Sequence, residues 1–352
     1  MSAMKTSNLL QSLVFGASLV FVHLSGAAPQ PEMSAHFINV GQANSALLEF
    51  PCGAVLIDAG AESAPFADSL VTYLQTFFAR RSDLASTLQS VFVTHSHIDH
   101  TRGLQKLFNS GITVKRHIDS GQVHGSGSND LRWVRTEIAN GSFVCQLKEL
   151  GDLHVPTTDA DIDPISCGNC DPKITVLSSR LNVNPGWAQS AFNNENNHSL
   201  VIRVDFGQAS FLFTGDLQKE GIATLMQDYA GSTMLDVDVY HVGHHGADNG
   251  TTVDFLNALT PEIAILSCGR PSGSHGTWTA WGYGHPRWTI MDMLSQSITG
   301  RRSQTIYAQV AVGQHNFSSY AVRKKIYSTS WDKNLVVKAK LDGSFRTTRS
   351  DF

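Results

Sequence analysis

Thr94-His95-Ser96-His97-Ile98-Asp99-His100 follows directly on the apolar run Val91-Phe92-Val93. Three histidines and an aspartate within six positions make up a ligand set that suits zinc and its first-row neighbours. On an extended chain residues two apart point the same way, so His95 and His97 can share one metal. A turn after the strand then lets Asp99 and His100 face a second metal beside the first. The bland alternative, imidazoles decorating a solvated turn, sits poorly with a cluster placed directly behind a buried strand.

Working outward, other strands end in polar residues of the same kind. Thr214-Gly215-Asp216 follows Phe211-Leu212-Phe213. There Asp216 is either a ligand bridging two cations or an ordinary helix cap, the role aspartate fills elsewhere. His241-Val242-Gly243-His244-His245-Gly246 closes the strand from Asp236, and Gly284-His285-Pro286 precedes a helix. His198, in Asn196-Asn197-His198-Ser199, stands at the same end of the strand that follows it and is a further candidate ligand. The loop from Gly269 to Gly284 carries Trp278, Trp281 and Tyr283, which read first as loop packing and second as a stacking wall for a base.

The rest of the chain alternates short strands and amphipathic helices. Ala35–Val40, Ala46–Phe50 and Ala54–Gly60 read as a strand meander. Pro65 then opens a helix whose Phe66, Leu70, Tyr73, Leu74 and Phe77 recur at helical spacing. Further strands are predicted at Ile112–His117, Phe143–Leu150, Leu200–Phe206, Ser210–Thr214, Asp236–Val242 and Ile263–Ser267. Helices are predicted at about Asn129–Ala139, Lys219–Tyr229, Val253–Leu259 and Pro286–Ile298. The class is therefore α/β or α+β with one continuous core. Residues 151–196, rich in Asp, Pro, Asn and Gly, read as an irregular excursion near the site, and residues 305–345 as terminal strands.

The composition is that of a globular chain: 352 residues, 41% hydrophobic and 16% charged, with 26 Lys plus Arg against 30 Asp plus Glu. That mildly acidic balance argues against a protein that coats nucleic acid, though not against a nuclease whose metals supply positive charge locally. Residues 1–28 read as a secretory signal: Lys5, an apolar stretch from Leu9 to Leu24, then Ser25-Gly26-Ala27-Ala28. The expectations are a mature domain over residues 29–352, secretion, and no membrane segment after cleavage. Five cysteines leave at least one unpaired within the chain, and Cys167-Gly168-Asn169-Cys170 predicts a local disulfide. Asn140, Asn197, Asn249 and Asn316 are glycosylation acceptors by pattern.

These motifs resemble the His-x-His-x-Asp-His signature of the metallo-β-lactamase superfamily. Their order is similar to that in the hydrolase domain of ComEC-type competence proteins. Phe37 to Gln42, Leu56 to Gly60, Thr94 to His100, an Asn-x-Ser before a strand, Thr214-Gly215-Asp216, His244-His245-Gly246 and Gly284-His285-Pro286 all carry the likeness. The resemblance implies an αββα sandwich of two mixed sheets flanked by helices. It implies two divalent cations, zinc by default and manganese or iron as alternatives. His95 and His97 would hold one, Asp99, His100 and His285 the other, with Asp216 bridging. His198 would be the first metal's third ligand, although it aligns poorly with the superfamily's histidine there.

The activity so implied is hydrolysis by a hydroxide activated at a dinuclear metal centre, with Asp99 orienting it and His244 or His245 donating to the leaving oxygen. Phosphodiesters are the expected substrates, small molecules or oligonucleotides, with no stable nucleic-acid complex. A lactone, β-lactam or other carboxylic ester or amide is the alternative, and a non-catalytic secreted binding protein on the same fold is the rival from another class. Two departures stand out. Gly41-Gln42-Ala43-Asn44 replaces the family's Gly-Gln-Gly-Asp, and the membrane channel of the competence proteins has no counterpart in this sequence.

Overall fold

The computed structural model describes residues 30–271 and 276–350. The predicted signal at 1–28 lies outside them. Two sheets carry the fold. In spatial order the first runs Phe345–Arg349, Leu335–Lys340, Glu32–Phe37, Ala46–Phe50, Gly53–Ile57, Ser90–Phe92, Arg116–Asp119 and Gln146–Glu149. The second runs Ile326–Ser328, Ile263–Leu266, Val239–His241, Ala209–Phe213, Val201–Phe206 and Lys173–Ser178.

Period-two alternation assigns each strand a face in both layers. Ala46, Leu48, Phe50, Val55 and Ile57 point into the space between the sheets, where they meet Val204, Phe206, Phe211, Phe213, Ile263 and Ile265. The intervening Leu47, Ala54 and Leu56 face outward onto helices Ala64–Arg80, Leu104–Phe108 and Ser128–Ala139. Leu212, Ala264 and Leu266 face outward from the second sheet onto helices Lys219–Asp228, Val253–Leu259 and Trp288–Ser297. The result is the helix–sheet–sheet–helix sandwich. Each fully buried Phe or Leu in the central layer contributes about 1.5–3 kcal/mol.

Strand direction places the site. Both sheets begin antiparallel along the chain and then turn parallel. Gly53–Ile57, Ser90–Phe92 and Arg116–Asp119 run together in the first sheet, and Ala209–Phe213, Val239–His241 and Ile263–Leu266 in the second. In open α/β sheets, ligands collect outside the carboxyl ends of such strands. Residues 58, 94–100, 214–216, 244–245 and 267 all follow strands of this kind.

Three expectations change. Ile112–His117 is two strands: Thr113–Val114 pairs with Thr87–Leu88 in a small separate sheet, and Arg116–Asp119 joins the main one. Arg301–Gly313 and Asn316–Lys324 form a long two-stranded ribbon, longer than the apolar run at 307–312 indicates, because its outer face is polar. The predicted Cys167–Cys170 bridge is wrong: Cys167 is bonded to Cys52. The tight turn at Gly168–Cys170 carries Cys170 into the central core, where its thiol donates to the Cys167 carbonyl at 3.2 Å. Cys167 is left facing Cys52. Among the described residues, no helix is long and apolar enough to cross a membrane.

Candidate metal centre

Asp58 organises the site from below. It ends strand Gly53–Ile57, is fully buried, and takes a left-handed φ of 58°, unusual for a residue with a Cβ. Its carboxylate over-determines that conformation. Oδ1 accepts from the Thr94 backbone at 2.7 Å, while Oδ2 accepts from Asn44 Nδ2 at 2.9 Å and His100 Nδ1 at 2.7 Å. The Thr94 hydroxyl adds a further bond at 2.9 Å. The Asn44 that departs from the family pattern is therefore a donor to Asp58, where a carboxylate would instead be repelled.

Close backbone approach locks the histidine loop over this base. Asn44 N donates to Asp99 O and Ala59 N to His100 O. A Cβ on Gly60 would lie 1.7 Å from the Asp99 carbonyl oxygen, so only glycine fits there. The two sheets are tied at the same level by Leu200 N bonding Thr94 O at 2.8 Å. Gly215, at φ +53°, would place a Cβ 2.7 Å from the Thr94 side chain, and its absence lets Asp216 close on the histidines.

Asp99, His100, Asp216 and His245 converge, each offering one ligand atom within 4.8 Å of all the others. His100 Nε2 is 3.2 Å from Asp216 Oδ1, and His245 Nε2 is 3.2 Å from Asp99 Oδ2 and 3.5 Å from Asp216 Oδ2. His95 Nε2 lies 4.0 Å from Asp216 Oδ2, and its ring centroid is 4.7 Å from that of His97. His97 Nε2 faces Glu195 Oε2 at 3.4 Å. His244 Nε2 is 3.8 Å from Asp216 Oδ2, and its Nδ1 donates to Asn249 Oδ1 at 2.7 Å.

The electrostatics are those of a carboxylate cluster balanced by imidazoles. Burial would raise the Asp99 and Asp216 carboxyl pKa values, but His245 and His100 overcome it and hold both low. Burial opposes charging of His100 and His245, yet Asp216, with Asp58 and Asp99, lifts both above the ordinary imidazole value. His95 goes the other way, well below, through burial and then the neighbouring His100 and His97.

A divalent cation fits this set. His95 Nε2 is buried with no hydrogen-bond partner, and His100 Nε2 meets the Asp216 carboxylate at 3.2 Å without hydrogen-bond geometry, a costly state that metal ligation would relieve. His100 and His245 donate Nδ1–H to a carboxylate and to the Ser267 carbonyl (2.6 Å), the outer bonds that orient metal-binding imidazoles.

Not every predicted residue arrives. His198 is turned away. Its Nδ1 accepts from Leu181 N at 3.0 Å and its Nε2 donates to Phe192 O at 2.6 Å, so it has no lone pair for a metal and instead pins the excursion loop. His285 lines the same cavity and, like His95 and His97, lies outside the four-residue group; its Nδ1 is 3.2 Å from Gln42 Nε2. Asn197, a glycosylation acceptor by pattern, is buried with both amide atoms bonded, to Ala191 O and Gly221 N.

The cluster opens into a cavity of about 560 Å³ that also exposes Arg102, Asn196, Trp278 and Tyr283. Tyr283 stacks on His285 (centroids 5.5 Å, 14°) and contacts Trp278 at 6.0 Å, whereas Trp281 packs on His315 at 3.9 Å. Two of the three loop aromatics thus face the site and the third is packing. Sequence reasoning gave no role to Asp58, Asn44, Gln42, Glu195, Asn196 or Arg102. Asp58 was within reach, since it ends an apolar strand just as Asp216 does.

The Metallo-beta-lactamase superfamily profile matches residues 38–270. Recombination protein 2 of Haemophilus influenzae is 31% identical over 118 residues, 34% of this chain and 13% of that protein. ComE operon protein 3 of Bacillus subtilis is 33% identical over 103 residues, 29% of this chain and 12% of that protein. The chain thus matches only a small part of the length of these relatives. Among solved structures, YhfI of Bacillus subtilis, a metallo-beta-lactamase fold protein, superposes with a TM-score of 0.42 at 13% identity, over 77% of this chain and 95% of that one. Human tRNase Z, short form, gives 0.40 at 15% identity over 66% and 92%. With the profile covering most of its length and the sandwich in place, this chain belongs to the metallo-β-lactamase superfamily.

Proposed function

We propose that the protein is a secreted hydrolase that uses two divalent cations to cleave phosphodiesters. The observation that carries the reading is the pair of orphaned Nε2 atoms, His95 and His100, set against Asp99 and Asp216 on the floor of one cavity. Bound cations there would supply hydroxide at neutral pH and neutralise phosphoryl charge. His95, His97, Asp99, His100, Asp216 and His245 would hold them, with zinc, manganese or iron all compatible with a mixed imidazole and carboxylate set.

The chain's own residues account for the rest. Arg102 gives the cavity wall a cation suited to a phosphate oxygen, its Nε already fixed on the Ala61 carbonyl at 3.0 Å. Trp278 and Tyr283 offer faces on which a base or aromatic leaving group can stack. A neutral lactone offers no anionic oxygen for Arg102 to hold. Export is supported by the Cys52–Cys167 bond, because disulfides persist in oxidising compartments. A net charge of −4 fits transient engagement of oligonucleotides rather than stable nucleic-acid binding.

The test is turnover by metal-free protein reloaded with zinc or manganese, on single-stranded DNA, a bis-nitrophenyl phosphate and a lactone panel. Phosphodiester cleavage abolished by chelator and by a His97→Ala, Asp99→Ala double variant is the expected result. Turnover of the lactones alone would overturn the substrate class. A well-folded protein that binds less than one metal and hydrolyses nothing would establish a binding protein instead.

A further inference from the structure

Gln42 and His285 behave unlike the rest of the cluster. Gln42 Oε1 accepts from the Gly269 backbone at 3.1 Å, and that backbone N–H can only donate. The amide is therefore oriented with Nε2 towards His285, 3.2 Å from its Nδ1. An amide NH₂ only donates, so His285 Nδ1 must be the acceptor and the neutral ring carries its proton on Nε2. His100 and His245 show the opposite pattern, with Nδ1–H given to Asp58 and to the Ser267 carbonyl and Nε2 turned to the carboxylates of Asp216 and Asp99, at 3.2 Å each, where a cation would share them.

We infer that His285 is not a metal ligand but the site's fixed hydrogen-bond donor, held in the Nε2–H tautomer by Gln42 and directed at an oxygen of the bound phosphoryl group. The ring sits in the cavity wall, stacked between Tyr283 and His245 (centroids 5.5 and 6.5 Å). Gln42 is itself immobilised at its backbone, where its N–H donates to Glu62 Oε2 at 2.7 Å. The 41–44 turn thereby acquires a purpose: one residue sets a donor at the mouth, and Asn44, two residues on, braces Asp58 below the metals. Only the identity of the acceptor rests on the phosphodiester reading; the tautomer and the exclusion of His285 from the ligand set do not.

The experiment uses histidine-¹⁵N-labelled full chain at pH 8, with and without zinc, and two variants, His285→Phe, which keeps a ring but has no donor, and Gln42→Leu. The ring signal missing in His285→Phe is expected to show the Nε2–H tautomer in wild type, with or without zinc, and to become a tautomer mixture in Gln42→Leu. His285→Phe is expected to keep the zinc content of wild type while losing about tenfold in affinity for inorganic phosphate, the loss of one bond to a charged acceptor. His245→Gln should lose zinc. An Nδ1–H ring at 285, or one zinc fewer in His285→Phe, would overturn the inference. Unchanged phosphate affinity in His285→Phe would overturn the donor role. Failure of the hydrolase reading looks different: no turnover of any substrate, with tautomer, zinc content and phosphate binding as expected.

Discussion

Replacing Asp58 by asparagine changes almost no volume and touches no proposed metal ligand directly except through His100. It inverts the hydrogen bonding beneath the site. If the new NH₂ takes the place of Oδ2, it faces the donors Asn44 Nδ2 and His100 Nδ1. If it takes the place of Oδ1, it faces the Thr94 backbone N–H. Bonds to a charged acceptor are worth about 1.5–3 kcal/mol each, so the cost runs from about 1.5 kcal/mol with one lost at Oδ1 to about 6 kcal/mol with two lost at Oδ2. Against a total stability of about 5–15 kcal/mol the variant remains foldable and measurable. In either orientation His100 Nδ1 loses its charged acceptor, and loss of such an outer partner weakens metal binding by about 10–100-fold. Urea unfolding of metal-free protein reads the first effect, and zinc titration against a competing chelator reads the second. An unfolding midpoint and a zinc affinity both equal to wild type would refute the role given to Asp58.

Other perturbations test other parts. Burial would raise the Asp119 carboxyl pKa, but His117 and Arg135 hold it at about 2, below the ordinary aspartate value of 3.8. The folded pKa being the lower one, its contribution of about 2 kcal/mol is complete above pH 4 and lost as pH falls towards 2; Asp119→Asn should flatten acid unfolding across that window. Opening the Cys52–Cys167 bridge, which spans 115 residues, should lower stability by about 4 kcal/mol, read as the urea midpoint with and without reductant. His198→Phe should cost about 2 kcal/mol by orphaning the Leu181 N–H and Phe192 carbonyl, yet leave the zinc content of wild type. A lost zinc equivalent would restore His198 to the ligand set.

What the sequence disclosed was governed by periodicity and by strand ends. Leu48, Phe50, Val55 and Ile57 announce their inward face by alternation, and Leu70, Leu74 and Phe77 theirs by helical spacing. Asp99, His100, Asp216 and His245 could be grouped because each follows an apolar run that delivers it to one edge. His198 follows the same local rule and fails, since a backbone N–H and a carbonyl from distant loops capture both its nitrogens. No local pattern encodes those partners. Cys167 pairs with Cys52 for a similar reason: the choice is made by which cysteine the core absorbs. Gln42 and Asn44 were visible as departures or landmarks, but their partners lie 243 and 14 residues away and appear only when the sheets assemble. The final strand, Phe345–Arg349, is polar on its exposed face and is fixed by pairing with Leu335–Lys340 rather than by its own composition.

The central claim is that cations sit where Asp99, His100, Asp216 and His245 converge. Anomalous-difference density from crystals of zinc-loaded protein, recorded on both sides of the zinc edge, tests it most directly. A strong peak within ligand distance of those four side chains, a second beside His95 and His97, and none at His198 is the expected result. A site empty at saturating zinc, or a peak ligated by His198, would contradict it.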